Sequence, residues 1–125
     1  EALRHSRGDG PGRIINIASE LAYLGRAGFS GYAGTKGAVL ALTRSWAREL
    51  APKVLVNAIA PGPVDTPLLD FANLSEELKR LEVSNPIGRL GRPEEVAQAV
   101  LFLSSRATGF ITGQCISVDG GAAMH

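Results

Sequence analysis

The chain has 125 residues, with 13 basic and 12 acidic side chains and a formal net charge of +1. This length fits a single domain, residues 1–125, with a core of its own. The charges are scattered, so we expect neither a nucleic acid nor a membrane surface as a partner. No apolar run approaches the roughly 20 residues that cross a bilayer, and no signal pattern opens the chain. These properties favour a cytoplasmic protein.

Cysteine is used once, at Cys115. A single thiol excludes an internal disulfide and a cysteine-cluster metal site, so we expect no metal centre of that kind. The residue lies in an apolar, β-branched run, where the simplest interpretation is a small side chain of a strand.

The first predicted elements, in chain order, form a βαβ unit. Residues 1–12 are typical of a helix end followed by a glycine-rich turn. Residues 13–18 and 54–60 are β-branched, mostly apolar runs, as in strands buried in a parallel sheet. The helical segment 31–50 lies between them and ends before Pro52, which cannot continue the hydrogen-bond ladder. A crossover of this length joins parallel strands.

The second half of the chain continues the alternation. A short amphipathic helix is predicted near residues 75–83, and a longer one over 93–103 with Pro93 at its first position. Residues 115–118 give a third strand. The sequence therefore predicts an α/β protein with three parallel strands and crossover helices.

The helix at 31–50 carries an ionisable pair on its apolar face. Tyr32 and Lys36 lie about 40° apart at 100° per residue, near the middle of an apolar arc of roughly 160°. That arc is formed by the large side chains Val39, Leu40, Leu42, Trp46 and Leu50. Because burial of an unpaired ammonium costs several kcal/mol, Lys36 requires a partner or a function. A cation one helical turn from a phenol stabilises the phenolate, which makes Tyr32 a candidate acid/base.

A simpler alternative exists for each residue of this group. Lys36 could extend to water while Tyr32 packs in the core, since the Tyr-x-x-x-Lys spacing is common by chance. Ser19 favours the functional interpretation, because it follows the first strand directly and precedes Tyr32 by 13 residues. Ligands of open α/β sheets bind at the carboxyl ends of the strands, where Ser19 is expected. A hydroxyl beside a phenol can hold a carbonyl oxygen between two donors, although a serine here can also be a plain turn residue.

Several motifs together resemble the short-chain dehydrogenase/reductase family. They are GRIINIAS, GYAGTK, VNAIAPGPVDTPL, PIGRLGRPEEVAQAVLFLSS and ITGQCISVDGG. The resemblance is to the branch with 3-oxoacyl-carrier-protein reductases and sugar or steroid alcohol dehydrogenases. It covers almost every residue and implies the C-terminal half of a Rossmann-like, doubly wound parallel sheet, without the N-terminal cofactor-binding half.

The resemblance implies an NAD- or NADP-dependent oxidoreductase that interconverts a secondary alcohol and a ketone, both small molecules. In it Ser19 positions the substrate oxygen, Tyr32 transfers the proton, and Lys36 favours the phenolate and holds the nicotinamide ribose. The spacing of Tyr32 and Lys36 further implies carbonyl chemistry, since related enoyl reductases place more residues between the two.

The resemblance also assigns the turn after the second long strand to the cofactor. Pro61 and Gly62 are expected to let the backbone approach it closely, and Val64 to meet the nicotinamide carboxamide through its backbone. Thr66 is expected to contact a carboxamide or a phosphate. Without the family, the same stretch is an ordinary proline-rich turn.

Other features of the family are not found in this chain. No glycine-rich phosphate-binding turn occurs, so the choice between NAD and NADP cannot be inferred. Asn16 and Asn57 lie in strands and do not replace the family's catalytic asparagine. The resemblance implies a homodimer or homotetramer. A second hypothesis is a non-catalytic half-domain or fragment that acts only as an assembly or interaction module.

Overall fold

A computed structural model describes residues 10–125 and contains one parallel sheet. Its strands are β1 (Gly12–Ile17), β2 (Val54–Pro61) and β3 (Cys115–Val118), in the order β1-β2-β3. All three predicted strands are confirmed, the first beginning and ending one residue early. The helix end predicted at residues 1–5 lies outside the described residues.

Within residues 10–125, four helices and two 3₁₀ turns connect and flank the strands. The helices are α1 (Leu21–Leu24), α2 (Ser30–Leu50), α3 (Glu76–Glu82) and α4 (Pro93–Ser104), and the 3₁₀ turns are Phe71–Asn73 and Arg106–Thr108. The three longer helices were predicted to within a residue or two. The pattern missed α1 and the 3₁₀ turns, because segments of three or four residues are too short to show a helical period.

β2 forms the centre of the fold and is buried from Val54 to Ala60. Its side chains alternate between the two faces of the sheet. The Val54, Val56, Ala58 and Ala60 side chains pack in the two clusters formed with α2, whereas α4 contacts all three strands and packs on the opposite face. The prediction of a fully buried strand therefore holds for β2. Within the described sheet β1 is only partly covered, because it lies at the edge.

The packed face of α2 agrees with the predicted apolar arc, with Leu42 as the exception. Its buried residues are Leu40, Thr43 and Ala47, whereas Leu42 is exposed. The small side chains at 43 and 47 let the helix approach the strands closely. Thr43 is satisfied there, since its hydroxyl donates to Val39 O at 2.8 Å and accepts from Asn16 Nδ2 at 2.9 Å. The contact face of the helix is thus the predicted one, with small residues lying between the large apolar side chains that pack in or against the core, which are Val39, Leu40, Trp46 and Leu50.

Over residues 10–125, no helix combines the length and apolarity needed to cross a membrane.

Candidate active site

The carboxyl ends of the three strands are tied together by backbone hydrogen bonds. Glu20 N, after β1, donates to Pro61 O at the end of β2, at 3.0 Å. Gly62 N, after β2, donates to Val118 O at the end of β3, also at 3.0 Å. The segments that follow the strands therefore form one continuous edge, which is the position where open α/β sheets bind ligands.

Ser19 is placed at this edge by the end of β1. It is 7% exposed, and its Oγ accepts a hydrogen bond from Leu21 N at 3.2 Å. The hydroxyl therefore shapes the start of α1, as the simpler interpretation proposed. Because a hydroxyl has one donor as well as its acceptor lone pairs, its proton remains available to a second partner.

Tyr32 and Lys36 lie on the first turns of α2, beside the same edge. Lys36 Nζ donates to Ile17 O, at the end of β1, at 3.0 Å, and lies 5.8 Å from the centroid of the Tyr32 ring. The Lys36 ammonium thus has a backbone hydrogen-bond acceptor, which is a partner of the kind that a lysine on an apolar helix face requires. Tyr32 is 46% exposed, so its phenol faces solvent rather than the core. We refer to Tyr32 and Lys36 as the open side of the site.

The turn after β2 leaves one residue with unused backbone groups. Val64 forms an isolated parallel bridge with Gly91, in which Gly91 N donates to Pro63 O and Asp65 N donates to Gly91 O, both at 2.9 Å. This bridge uses the backbone groups of Pro63 and Asp65, and the N–H and C=O of Val64 have no hydrogen-bond partner among residues 10–125. Thr66 is engaged locally, since its Oγ1 accepts from Leu69 N at 3.4 Å.

A buried carboxyl beside Ser19 was missed by the sequence reasoning. Glu20 is 5% exposed, and its Oε2 has no hydrogen-bond donor among the described residues. A Cβ atom at Gly62 would lie 2.6 Å from that oxygen and 2.8 Å from Asp119 Cα. We refer to Glu20, Gly62 and Asp119 as the closed side of the site. A charged residue directly after the candidate serine was the only sequence signal for it.

The second tyrosine of the chain has a different environment from the first. Tyr23 stacks on His125, with ring centroids 3.7 Å apart. Burial raises the pKa of Tyr23 to about 12, with a further contribution from the Cys115 thiol. The phenol of Tyr23 is therefore held in its neutral form and is a poor acid/base near neutral pH.

Asn16 and Asn57 are occupied by structural hydrogen bonds. Asn16 bonds to Thr43 as described above, and Asn57 Nδ2 donates to Ile111 O at 2.9 Å while its Oδ1 accepts from Gln114 N at 3.0 Å. Asn57 thus fixes the segment that leads into β3. The expectation that neither asparagine belongs to the site agrees with these contacts.

Two cavities border this edge of the sheet, and neither is lined by Ser19, Tyr32 or Lys36. The larger one, about 330 Å³, lies between the segment 85–91 and the end of β3. A cavity of about 230 Å³ lies between α1, Pro63 and the end of α3, with Glu20 in its wall. We place the site at the sheet edge rather than in the larger cavity, because the candidate acid/base lies on an open face. No cluster of metal-ligating side chains occurs within residues 10–125.

The fold and this edge define an open, parallel α/β domain of the Rossmann-like class, and comparison with known proteins gives the family. Residues 1–123 match a family model described as enoyl-(acyl carrier protein) reductase. Together with the relatives described next, this match shows that the chain belongs to the short-chain dehydrogenase/reductase family. The resemblance inferred from the motifs is confirmed.

Individual relatives and a solved structure support this family membership. The chain is 48% identical over 112 residues to a 3-oxoacyl-(acyl-carrier-protein) reductase of Aquifex aeolicus, covering 88% of this chain and 44% of the relative. It is 46% identical over 122 residues to a cis-4-hydroxycyclohexanecarboxylate dehydrogenase of Sinomonas cyclohexanicum, covering 96% and 48%. A crystal structure of 3-ketoacyl-(acyl-carrier-protein) reductase from Brucella melitensis complexed with NADH superposes with a TM-score of 0.78 at 38% identity, covering 90% and 45%. The chain spans about half the length of the curated relatives it matches.

Proposed function

We propose that these residues form the proton-transfer part of an NAD(P)(H)-dependent oxidoreductase that interconverts a secondary alcohol and a ketone. The observation that carries the proposal is the placement of Lys36, whose ammonium links the end of β1 to the Tyr32 ring. This contact brings the candidate acid/base to the strand end that also presents Ser19. Relatives named as 3-oxoacyl reductases and as an alicyclic alcohol dehydrogenase support the same reaction class.

The described residues fit the nicotinamide end of such a cofactor. Val64 offers an unused backbone N–H and C=O, which match the acceptor and donor of a carboxamide. Lys36 offers a cation with donors beyond its bond to Ile17 O, suited to ribose hydroxyls. The relative that was crystallised with NADH supports a nicotinamide cofactor, without choosing between NAD and NADP. When bound, this cofactor supplies or accepts the hydride.

The chain's own residues handle the substrate oxygen and its proton. In the reducing direction the carbonyl oxygen gains negative charge and needs a donor within hydrogen-bond reach. The Tyr32 phenol gives the proton to that oxygen, and the Ser19 hydroxyl, still free to donate, holds the oxygen in place. The Lys36 ammonium stabilises the phenolate that remains. In the oxidising direction the proton transfer is reversed, and Tyr32 acts as the base that accepts the proton of the alcohol.

The spacing of the pair supports ketones over enoyl substrates. The matching family model is described as enoyl-(acyl carrier protein) reductase. In this chain only three residues separate Tyr32 from Lys36, as expected for carbonyl reduction. The relatives at 46–48% identity are named for 3-oxoacyl or cyclic alcohol substrates. We therefore assign the carbonyl/alcohol reaction to this chain.

The two tyrosines allow a matched test of this proposal. We expect Tyr32→Phe in the complete polypeptide to lower ketone reduction by about 10²- to 10⁴-fold, because the proton donor is removed. Tyr23→Phe removes the other phenol and should leave turnover within a few-fold of the unsubstituted protein. Rates are measured as oxidation of NADH and of NADPH with a 3-oxoacyl thioester and an alicyclic ketone. Equal losses in the two variants would contradict the assignment of Tyr32.

A second candidate function is a non-catalytic half-domain that acts through assembly. The observation that favours it is the partly exposed β1, whose outer edge has no partner strand among residues 10–125. Titration of residues 1–125 with NADH and with NADPH separates the two candidates. Micromolar binding would exclude the assembly-only function, whereas no binding together with turnover by a longer polypeptide would exclude autonomous activity of residues 1–125.

A further inference from the structure

The closed side of the site contains a carboxyl group that the proposed reaction does not use. Glu20 follows Ser19 directly, and its backbone N–H is bonded to Pro61 O at 3.0 Å. Its side chain is buried over Gly62, where no larger residue would fit between Glu20 Oε2 and the backbone of Asp119. The Glu20 carboxyl thus lies between the loop that presents Ser19 and the turn assigned to the cofactor.

The neighbours of this carboxyl disfavour its charged form. Both Asp119 oxygens accept backbone hydrogen bonds, from Gly121 N at 2.9 Å and from Ala123 N at 2.8 Å, so neither oxygen is turned toward Glu20 as a donor, and the Asp119 charge repels a charged Glu20. Arg26 is bonded to Glu82 at 2.8 Å, so its charge is already compensated. Glu20 therefore lies beside one negative charge and one closed ion pair, and its Oε2 has no donor among the described residues.

We propose that Glu20 is a positioning residue that works in its neutral form, holding the Ser19 loop against the turn at Gly62, so that ionisation of Glu20 displaces both. An ionised oxygen without a donor in a buried site is costly, and the chain relieves that cost by moving the carboxylate toward solvent. The carboxyl fills the space against Gly62, and the backbone of the same residue is bonded to Pro61 O, so a carboxylate that turns away removes the contact that holds the loop and the turn together. The inference rests on the proposed function, since it concerns how Ser19 and the cofactor turn are aligned.

The electrostatics of the closed side agree with this geometry. Burial and then repulsion from Asp119 raise the pKa of Glu20 to about 7, while Arg26 acts to lower this pKa and Glu82 acts to raise it. Among the described residues these three are the charged groups that act on Glu20, from the segment after β3, the segment after α1 and the end of α3. Ionisation of Glu20 is therefore expected close to neutral pH rather than near the ordinary carboxyl value of 4.5.

In the oxidising direction of the reaction, Glu20 and Tyr32 have opposite effects on how kcat/KM changes with pH. As the base, Tyr32 makes alcohol oxidation faster when it ionises, so a fall in kcat/KM with rising pH must come from another group. We expect the complete polypeptide to lose about tenfold in kcat/KM for each pH unit above a midpoint near 7. In Glu20→Gln the side chain has the same shape but cannot ionise, so kcat/KM should not decrease in this pH range. Glu77→Gln, an exposed carboxyl of α3, should keep the fall. The same fall in Glu20→Gln would overturn the proposal.

A titration that needs no turnover tests the same inference. In the unsubstituted protein, the Glu20 carboxyl carbon and the amide signals of Ser19 and Gly62 should titrate together in NMR spectra, with a midpoint near 7. A Glu20 midpoint near 4.5, or Ser19 and Gly62 signals that do not move with it, would overturn the proposal even if Glu20→Gln did not fold. Absence of turnover with every ketone and alcohol tested would count against the proposed function alone, because the NMR result stands without it.

Discussion

Ser19 and Glu20 are adjacent in the sequence, yet the two sides of the site that they border are built differently. On the open side, Tyr32 is 46% exposed and Lys36 has one backbone partner. On the closed side, Glu20 is 5% exposed and is packed so tightly that Gly62 has no room for a Cβ atom. The acid/base pair of the open side remains accessible to a ligand, whereas the closed side, which aligns Ser19 and the turn, is packed within the chain. Substitutions should therefore affect mainly activity on the open side, and on the closed side stability together with the pH dependence of activity.

The largest expected effect beyond Tyr32 itself is on activity, at Lys36. We expect Lys36→Met in the complete polypeptide to lower kcat/KM for ketone reduction by about 10²- to 10³-fold, since a preorganised charge beside the reacting group is lost. The free energy of unfolding should fall by only about 1 kcal/mol, the value of one hydrogen bond. Steady-state kinetics and urea denaturation measure the two quantities.

Lys53→Met is the matched control for Lys36→Met, because Lys53 is exposed just before β2 and away from the site. It should change neither quantity appreciably. A Lys36→Met protein that unfolds readily while its residual activity stays high would reverse the contrast between the two sides.

The next largest effect is a pH-dependent stability difference at Glu20. The pKa of Glu20 is raised in the folded protein to about 7 from 4.5. The folded state therefore binds the proton more tightly, and this contribution is complete below about 4.5 and is lost as pH rises to about 7. Glu20→Gln cannot ionise and should keep its stability over this pH range. The difference in free energy of unfolding between the variant and the unsubstituted protein should therefore grow by up to about a few kcal/mol as pH rises between these two values, and should stay constant at higher pH.

Urea denaturation at a series of pH values measures this difference, and Glu77→Gln provides the baseline for an exposed carboxyl. A stability difference that does not change with pH would mean that Glu20 keeps an ordinary pKa in the folded protein.

A somewhat smaller loss is expected from the tight contact at Gly62. Gly62→Ala places a methyl group against Glu20 and the backbone of Asp119, and overpacking of this kind costs about 1–3 kcal/mol. Gly37→Ala is the matched control, because a Cβ atom there meets nothing within 4 Å and α2 gains a better helix former. That control should be more stable by about 0.5–1 kcal/mol. Thermal unfolding of both variants measures this difference in stability. A Gly62→Ala protein as stable as the unsubstituted protein would contradict the tight contact at Gly62.

The sequence predicted the open side better than the closed side, for physical reasons. The strands, the long helices and the Tyr32/Lys36 pair all follow from period and spacing, which are local properties of the chain. The closed side depends on Glu20 and Asp119, which are 99 residues apart in the sequence and meet only through the register of three strands. The contact face of α2 was predicted as well, except that Leu42 is exposed and that the small side chains of Thr43 and Ala47, to which a hydrophobic pattern gives little weight, share the face.

The smallest expected effect concerns the ion pair that borders the closed side. Arg26 and Glu82 lie 2.8 Å apart, with side-chain exposures of 23% and 9%. Arg26→Met leaves the more buried partner unpaired, so it should destabilise the protein more than Arg26→Met combined with Glu82→Gln. A double-mutant cycle in urea should give a coupling of about 1 kcal/mol. The exposed pair of Arg89 and Glu95, in which Arg89 lowers the pKa of Glu95 to about 2, is the surface comparison. If that pair coupled as strongly as Arg26 with Glu82, burial would not be what distinguishes the two sides.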